Sequence, residues 1–170
     1  MAHKEISSEI VTYGDPVLRK KALPVTDINA RVKKISEAMV EAMLRANGLG
    51  LAAPQMGIDE RIIALDIDGE FYVLINPEIV ELSEETEEAT EGCLSVPGID
   101  APVIRRVHAV VRGYTLDEKE ITLEGEGLMA RAIQHEIDHL NGILFIDHLS
   151  PAKRRFLLKE YARKQREKDK

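Results

Sequence analysis

Apolar residues recur at steps of three and four from Ile28 through Val32, Ile35 and Met39 to Met43. That spacing puts them on one stripe of an amphipathic helix, predicted over residues 27–46. Thr26 or Asp27 stands where a cap would be, and Gly48 stands just past the far end. Downstream the period changes. Residues 61–66 and 71–75 are short runs rich in β-branched and aromatic side chains, joined through Asp68-Gly69, a hairpin signal. Pro77 is expected to end the second strand, because proline donates nothing to a ladder. The acidic stretch 81–91 is interrupted by Leu82, Thr86, Ala89 and Thr90 and reads as an exposed strand or hairpin. Residues 107–114 and 120–123 read as another antiparallel pair turning around 117–119. The helical period returns over 127–140, with Gly142 placed to supply a left-handed stop. Hairpins with helices between and after them predict an α+β fold: antiparallel sheets packed around the 127–140 helix, with an N-terminal and a C-terminal helix.

Composition narrows the class. A chain of 170 residues, 44% hydrophobic, builds one domain. We divide it into a body, residues 1–150, and a C-terminal helix, 151–170, belonging to the same domain. No apolar run is long enough to span a membrane. Met1 to Glu5 shows neither an apolar core nor a cleavage signal, so no leader is expected. The single cysteine forms no internal disulfide, which suits a reducing cytoplasm and leaves the thiol free for a metal. The formal charge is −7, unevenly spread. Residues 151–170 carry nine Lys and Arg against three acids, while residues 1–150 carry 14 against 27. The basic tail points either to an anionic partner or simply to a solvated face opposite Phe156, Leu157, Leu158 and Tyr161. No aromatic-rich nucleic-acid motif accompanies it, and no contact with DNA is expected.

The chemistry concentrates in His135-Glu136-Ile137-Asp138-His139. On a helix the two histidines lie one turn apart on one face, so both imidazoles reach one metal ion. Glu136 sits on the edge of that face, placed to act as general base and then general acid on a metal-bound water. Cys93, in Glu91-Gly92-Cys93-Leu94-Ser95, is the third ligand, with Gly92 giving the backbone freedom to turn the thiolate inward. Two imidazoles and a thiolate leave a tetrahedral position open, as in a catalytic rather than a structural site. The plain alternative is a surface helix with two solvated histidines. Buried imidazoles need partners for their other nitrogens, and Asp138 either bends back to supply one or pairs elsewhere. Gly48 and Gly50 permit close backbone approach, as a peptide pairing edge-on requires, whereas no Gly-Lys-Ser/Thr follows to bind phosphate.

These segments, with Gly48-Leu49-Gly50-Leu51-Ala52-Ala53-Pro54-Gln55 and the opening Asp15-Pro16-Val17-Leu18-Arg19, resemble the peptide deformylases over nearly the whole chain. The three family motifs stand in the family's order at 48–55, 91–95 and 134–139. The resemblance implies a hydrolase that removes the N-formyl group from the initiator methionine of nascent polypeptides, releasing formate in the cytoplasm. It implies the Gln55 amide and the Leu94 backbone N–H as donors to the oxyanion, and an ion pair of Glu91 with Arg105 steadying the cysteine loop. It implies one Fe(2+) per chain, for which Zn(2+), Ni(2+) or Co(2+) can stand in, with activity lost in air through oxidation of iron or Cys93 and better endurance with nickel. The methionine side chain is expected against Leu49, Leu128 and Ala132, with Leu94 nearby. It also implies ribosome contact through 151–170. One departure is Asp100, near where some members carry an arginine that holds the substrate backbone. Two other readings are weighed. A different metal-dependent amidase or peptidase would usually take its third ligand from His or Glu. A structural zinc or bare ribosome-binding module would need a fourth ligand from His3, His108 or His148.

Overall fold

The computed structural model describes residues 6–169. The expectation of no leader in Met1 to Glu5, and the spare imidazole of His3, lie outside the described residues. Among these residues three α-helices, α1 (Ala30–Arg45), α2 (Leu128–Leu140) and α3 (Pro151–Lys168), accompany seven strands. Strands β1 (Gly50–Ala52), β2 (Ile62–Ile67), β3 (Glu70–Leu82), β6 (His108–Tyr114) and β7 (Glu120–Glu126) form a five-stranded antiparallel sheet in the order β1-β2-β3-β6-β7. Strands β4 (Thr86–Cys93) and β5 (Val96–Arg106) form a separate antiparallel hairpin. The α+β fold expected from the sequence is the fold observed. Among the described residues no helix is long and apolar enough to cross a membrane.

Strand β2 shows how the layers arise. Successive side chains point to opposite faces, so Ile63 and Leu65 pack with Ile133, Ile137 and Leu140 of α2. Ile62 and Ala64 pack with Val32, Ile35, Met39 and Met43 of α1. The sheet is thus covered by a helix on each face, with the motif helix α2 packed between it and the hairpin. A third cluster joins Val96, Ile99, Ala101 and Val103 of the hairpin to Leu157 and Tyr161 of α3. The C-terminal helix therefore buries its apolar side in the body and leaves its cations outside, with Phe156 63% exposed among them.

Several predicted boundaries move. The cap of α1 is Asn29, whose side chain accepts from Val32 N–H, and neither Thr26 nor Asp27 serves. Its end turns through Asn47 at φ 54, so Gly48 is not the left-handed residue. Gly142 at φ 75 does stop α2. Asp68 and Gly69, at φ 54 and 83, form the expected hairpin turn. Pro77 does not end β3. The register shifts between Ile75 and Glu78, so the proline falls in an irregularity of the ladder and the strand continues to Leu82. Asn76 there, at φ 53, spends its amide on the N–H and C=O of Val25 (2.8 Å each).

One surface pair carries a pH signature. Arg19 Nη1 donates to Asp147 Oδ2 at 2.6 Å. Burial opposes ionisation of Asp147, but Arg19 and the Leu144 N–H outweigh it and hold its carboxyl below the usual range. The stabilisation is present above the unfolded value of ~3.9 and is lost as pH falls through the lower folded value. Asp147→Asn is accordingly expected to cost under ~1 kcal/mol at neutral pH, discounted for solvent screening. Urea midpoints of the two proteins should converge only in acid below ~3.9.

Candidate metal centre

Cys93, His135 and His139 come together, their ligand atoms all within 4.8 Å of one another. The thiol ends β4, and a two-residue turn through Leu94 and Ser95 returns the chain at Val96. Gly92 does not take a positive φ. It sits at the register shift between Gly92 and Cys93, and that irregularity turns the thiol inward. Cys93 Sγ lies 3.3 Å from His139 Nε2. The two rings meet edge to face with centroids 5.0 Å apart, and Phe145 stacks behind His135.

The ring nitrogens are served unequally. His135 Nδ1 donates to Glu91 Oε1 at 2.8 Å, leaving Nε2 for the centre. His139 Nδ1 is buried and has no partner among the described residues. Asp138 takes the second of its two expected roles: its Oδ2 accepts from Arg105 at 2.5 Å and pairs with His148 at 2.8 Å. Glu91 and Arg105 form the expected ion pair (2.8 and 3.0 Å), buried on the inward-facing side of the hairpin. Burial opposes the charge on Glu91, but His135 and Arg105 prevail and hold its carboxyl well below the usual range.

The centre suits a cation. Burial works against a charged His135, yet Glu136, Cys93 and Glu91 together drive its pKa well above the usual value. Acidic groups thus converge on this point from Glu91, Glu136 and the Cys93 thiol. Burial, with the charges on His135 and Arg105 behind it, pushes His139 well below the usual value, which keeps it a neutral electron-pair donor. One thiol and two imidazoles are the donor chemistry of zinc, iron, nickel or cobalt. Glu136 is buried beside them, and burial pushes its carboxyl up to about 7. Its Oε1 has no partner among the described residues.

The flanking residues fall around one cavity of ≈ 630 Å³, which includes Cys93, His135 and Glu136 in its lining. Gly48, Leu49, Gly50, Gln55 and Leu94 reach it from one side. Leu128 and Ala132 reach it from α2, and Asp100 from β5. Gly50 does more than admit a neighbouring backbone: a Cβ there would meet Glu136 Oε2 at 2.5 Å. Gln55 is held at one end, its Oε1 accepting from Ala52 N–H at 2.9 Å. Its Nε2 faces Ser95 Oγ at 3.2 Å and Cys93 Sγ at 3.6 Å, so the amide is both braced by backbone and aimed at the centre. Leu49 and Leu128 stand at the exposed mouth (45% and 57%), with Ala132 buried deeper.

His108 and His148 stay away from the centre. His108 pairs with Glu124 at 2.6 Å and His148 with Asp138. Among the described residues the group of potential ligands is Cys93, His135 and His139, so the fourth-ligand reading finds no support. Sequence reasoning missed Arg131, which joins Glu91 at 2.6 Å, and Ser95, fully buried against Gln55. Arg131 had a visible signal, lying four residues before His135 on the same helical face.

The family model described as Polypeptide deformylase matches residues 7–155. The chain is 52% identical to a peptide deformylase of Natranaerobius thermophilus over 140 residues, 82% of this chain and 90% of that one. It superposes on a crystal structure of a peptide deformylase from Legionella pneumophila with a TM-score of 0.91 at 39% identity, covering 95% and 97% of the two chains. The Ehrlichia chaffeensis enzyme in complex with actinonin matches with a TM-score of 0.88 at 36% identity, covering 93% and 97%.

Proposed function

The chain belongs to the polypeptide deformylase family of hydrolases, and from that premise we propose that it cleaves N-formylmethionyl peptides with Glu136 as its proton-transfer group. The observation that carries the reading is a buried carboxyl beside a thiol–imidazole–imidazole triad at the floor of an open cavity. Cys93, His135 and His139 would hold one divalent ion, which we assign as Fe(2+), with Zn(2+), Ni(2+) or Co(2+) able to substitute. Such an ion supplies Lewis acidity, polarising a carbonyl and lowering the pKa of water toward neutrality.

The chain's own groups do the rest. A carboxyl near neutrality is poised both to take a proton from the attacking water and to return it to the departing amine. Negative charge then develops on the former carbonyl oxygen. The Gln55 Nε2–H, braced through Oε1, and the Leu94 N–H on the adjoining turn are the donors assigned to it. Strand β1 is an edge of the five-stranded sheet, so apart from the Ala52 N–H held by Gln55 its outer backbone is open to pair with a peptide. Leu49, Leu128 and Ala132, with Leu94, provide apolar surface for the methionine side chain. The small formyl group fits a tight centre that an acetyl methyl would crowd. Asp100, an acid at the rim, offers no cation to the peptide backbone, so contacts beyond methionine rest on strand pairing. The formylated substrate places the work in the cytoplasm, and the cationic face of α3 is the surface we assign to ribosome contact.

Formate release from a formyl-Met tripeptide by anaerobically prepared protein tests the reading. Turnover of the formyl but not the acetyl peptide, lost with a chelator and blocked by actinonin, is expected. Fully metal-loaded protein without turnover would overturn it. A second expectation concerns Gly50. Gly50→Ala places a methyl 2.5 Å from Glu136 Oε2, well inside contact distance, and the carboxyl must move. Displacement of that order costs kcat roughly 10²-fold. Circular dichroism and metal content should stay unchanged.

A further inference from the structure

The thiol and the two imidazoles of the centre are carried by separate pieces of structure. His135 and His139 are on α2, which packs on the five-stranded sheet, and Cys93 is at the tip of a hairpin that pairs with no strand of that sheet. At its base the hairpin is joined to the larger sheet through the chain itself, where the β3–β6 ladder (Ser83 N–H to His108 C=O, 3.0 Å) gives way to the hairpin's own (Val107 N–H to Glu85 C=O, 3.1 Å). Near the tip the corresponding tie runs to the N-terminal segment, from Tyr13 N–H to Ser95 C=O at 2.7 Å. Among the described residues no backbone hydrogen bond joins the hairpin to α2, so side chains bridging the two hold the spacing between thiol and imidazoles.

Gln134 and Asp138 bridge next to the base, to the backbone of Arg106 and to Arg105. Arg131 bridges on the side toward the tip and reaches three groups of the hairpin at once. Its Nη1 donates to Glu91 Oε2 at 2.6 Å and to Val103 C=O at 2.8 Å, and its Nη2 to Glu87 C=O at 2.8 Å. Its side chain is 11% exposed and Glu91's 6%. With Arg105 and His135, Arg131 gives each Glu91 oxygen two donors: Oε2 receives Arg105 Nε and Arg131 Nη1, and Oε1 receives Arg105 Nη2 and His135 Nδ1. The formal charges also close, since two guanidinium groups meet the two carboxylates Glu91 and Asp138. Without Arg131 the carboxylate that orients His135 would be held, apart from that ring, by Arg105 alone and lose its tie to α2 at Oε2, and an uncompensated negative charge would stand behind the ring.

We infer that Arg131 is a positioning residue for the metal centre: it locks the cysteine hairpin to the histidine helix and, through Glu91, fixes the orientation of His135. The inference rests on the assignment of Cys93, His135 and His139 as ligands. Groups behind a ligating imidazole affect metal affinity by 10–100-fold, and a planar fork with several donors is poorly replaced by an ammonium.

The test uses the full chain loaded anaerobically with Co(II), comparing wild type, Arg131→Met, Arg131→Lys and Arg106→Met. Arg106 is the control, an arginine whose guanidinium donates to Ser83 C=O at 2.9 Å at the hairpin base and bonds neither to Glu91 nor to a ligand. Visible absorption reports the cobalt geometry, and chelator competition well below every melting temperature gives the release rate. Arg131→Met is expected to release Co(II) roughly tenfold faster or more with displaced absorption bands, Arg131→Lys falling between it and wild type. Arg106→Met is expected to keep wild-type bands and release. If Arg131→Met keeps both, even with a lower melting temperature, Arg131 is a brace and the inference falls. Should the methionine variant not fold, Arg131→Lys with unchanged bands and release overturns it equally. Wild type that shows no thiolate-to-cobalt band would instead overturn the ligand assignment, a failure visible without any variant.

Discussion

Glu136→Gln is expected to lower turnover of a formyl-Met peptide by about 10²–10⁴-fold while metal content and melting temperature stay close to wild type. The amide keeps the size of the carboxyl, and the substitution leaves Cys93, His135 and His139 untouched. What it removes is a group able to accept and return a proton. Burial pushes the Glu136 carboxyl up to about 7, and its Oε1 has no protein partner to lose among the described residues. A change that relieves a buried acid costs little in folding, so the loss should appear in kcat. Formate release under saturating substrate, with bound metal quantified in the same samples, separates the outcomes. Undiminished kcat would remove Glu136 from the proposed mechanism. Loss of metal together with activity would show that it supports the centre rather than the chemistry.

Glu91→Gln is expected to act in the opposite manner, on the framework before the chemistry. The Glu91 carboxylate is buried and accepts from Arg105, Arg131 and His135 at 2.6–3.0 Å. Replacing it with a neutral amide leaves two buried guanidinium groups with one carboxylate, that of Asp138, and turns some acceptor positions into donors. Breaking a buried pair of this kind costs about 3–5 kcal/mol. In a chain of this size that lowers the melting temperature by roughly 10 °C. Metal should be held about 10–100-fold less tightly, because the group orienting His135 is gone. Calorimetry of the metal-free protein and chelator competition of the loaded one measure the two effects separately. A melting temperature within a degree or two of wild type would mean that the cluster is energetically neutral.

The elements legible along the chain were those whose signal is local. The stripe from Val32 to Met43 produced α1, the Asp68-Gly69 turn produced its hairpin, and the glycine at 142 stops α2. Boundaries slipped where side chains chose among nearby alternatives. Asn29 caps α1 because its amide reaches Val32 N–H, and Thr26 and Asp27 lie too far upstream. Pro77 was misread because a bulge, which depends on the partner strand β6, absorbs it. Strand β5 was missed entirely. Its alternation of Ala101, Val103 and Arg105 inward with Asp100, Pro102 and Ile104 outward carries a charged residue on the buried face, which reads as a break until its carboxylate partners are known.

The histidine pair, the carboxyl between them and the cysteine motif were determined by the sequence alone, because a helix places residues four apart on one face whatever the rest of the chain does. The family likeness followed from the order of the same motifs. Only the tertiary structure decided what surrounds them. Glu91 faces His135 across 44 residues, Arg131 reaches Glu91 across 40, and Asp138 turns to Arg105 and His148 rather than to a ligand. Those pairings satisfy buried charges, and a buried charge takes whichever partner the packed sheets and helices bring within reach, which no local pattern encodes.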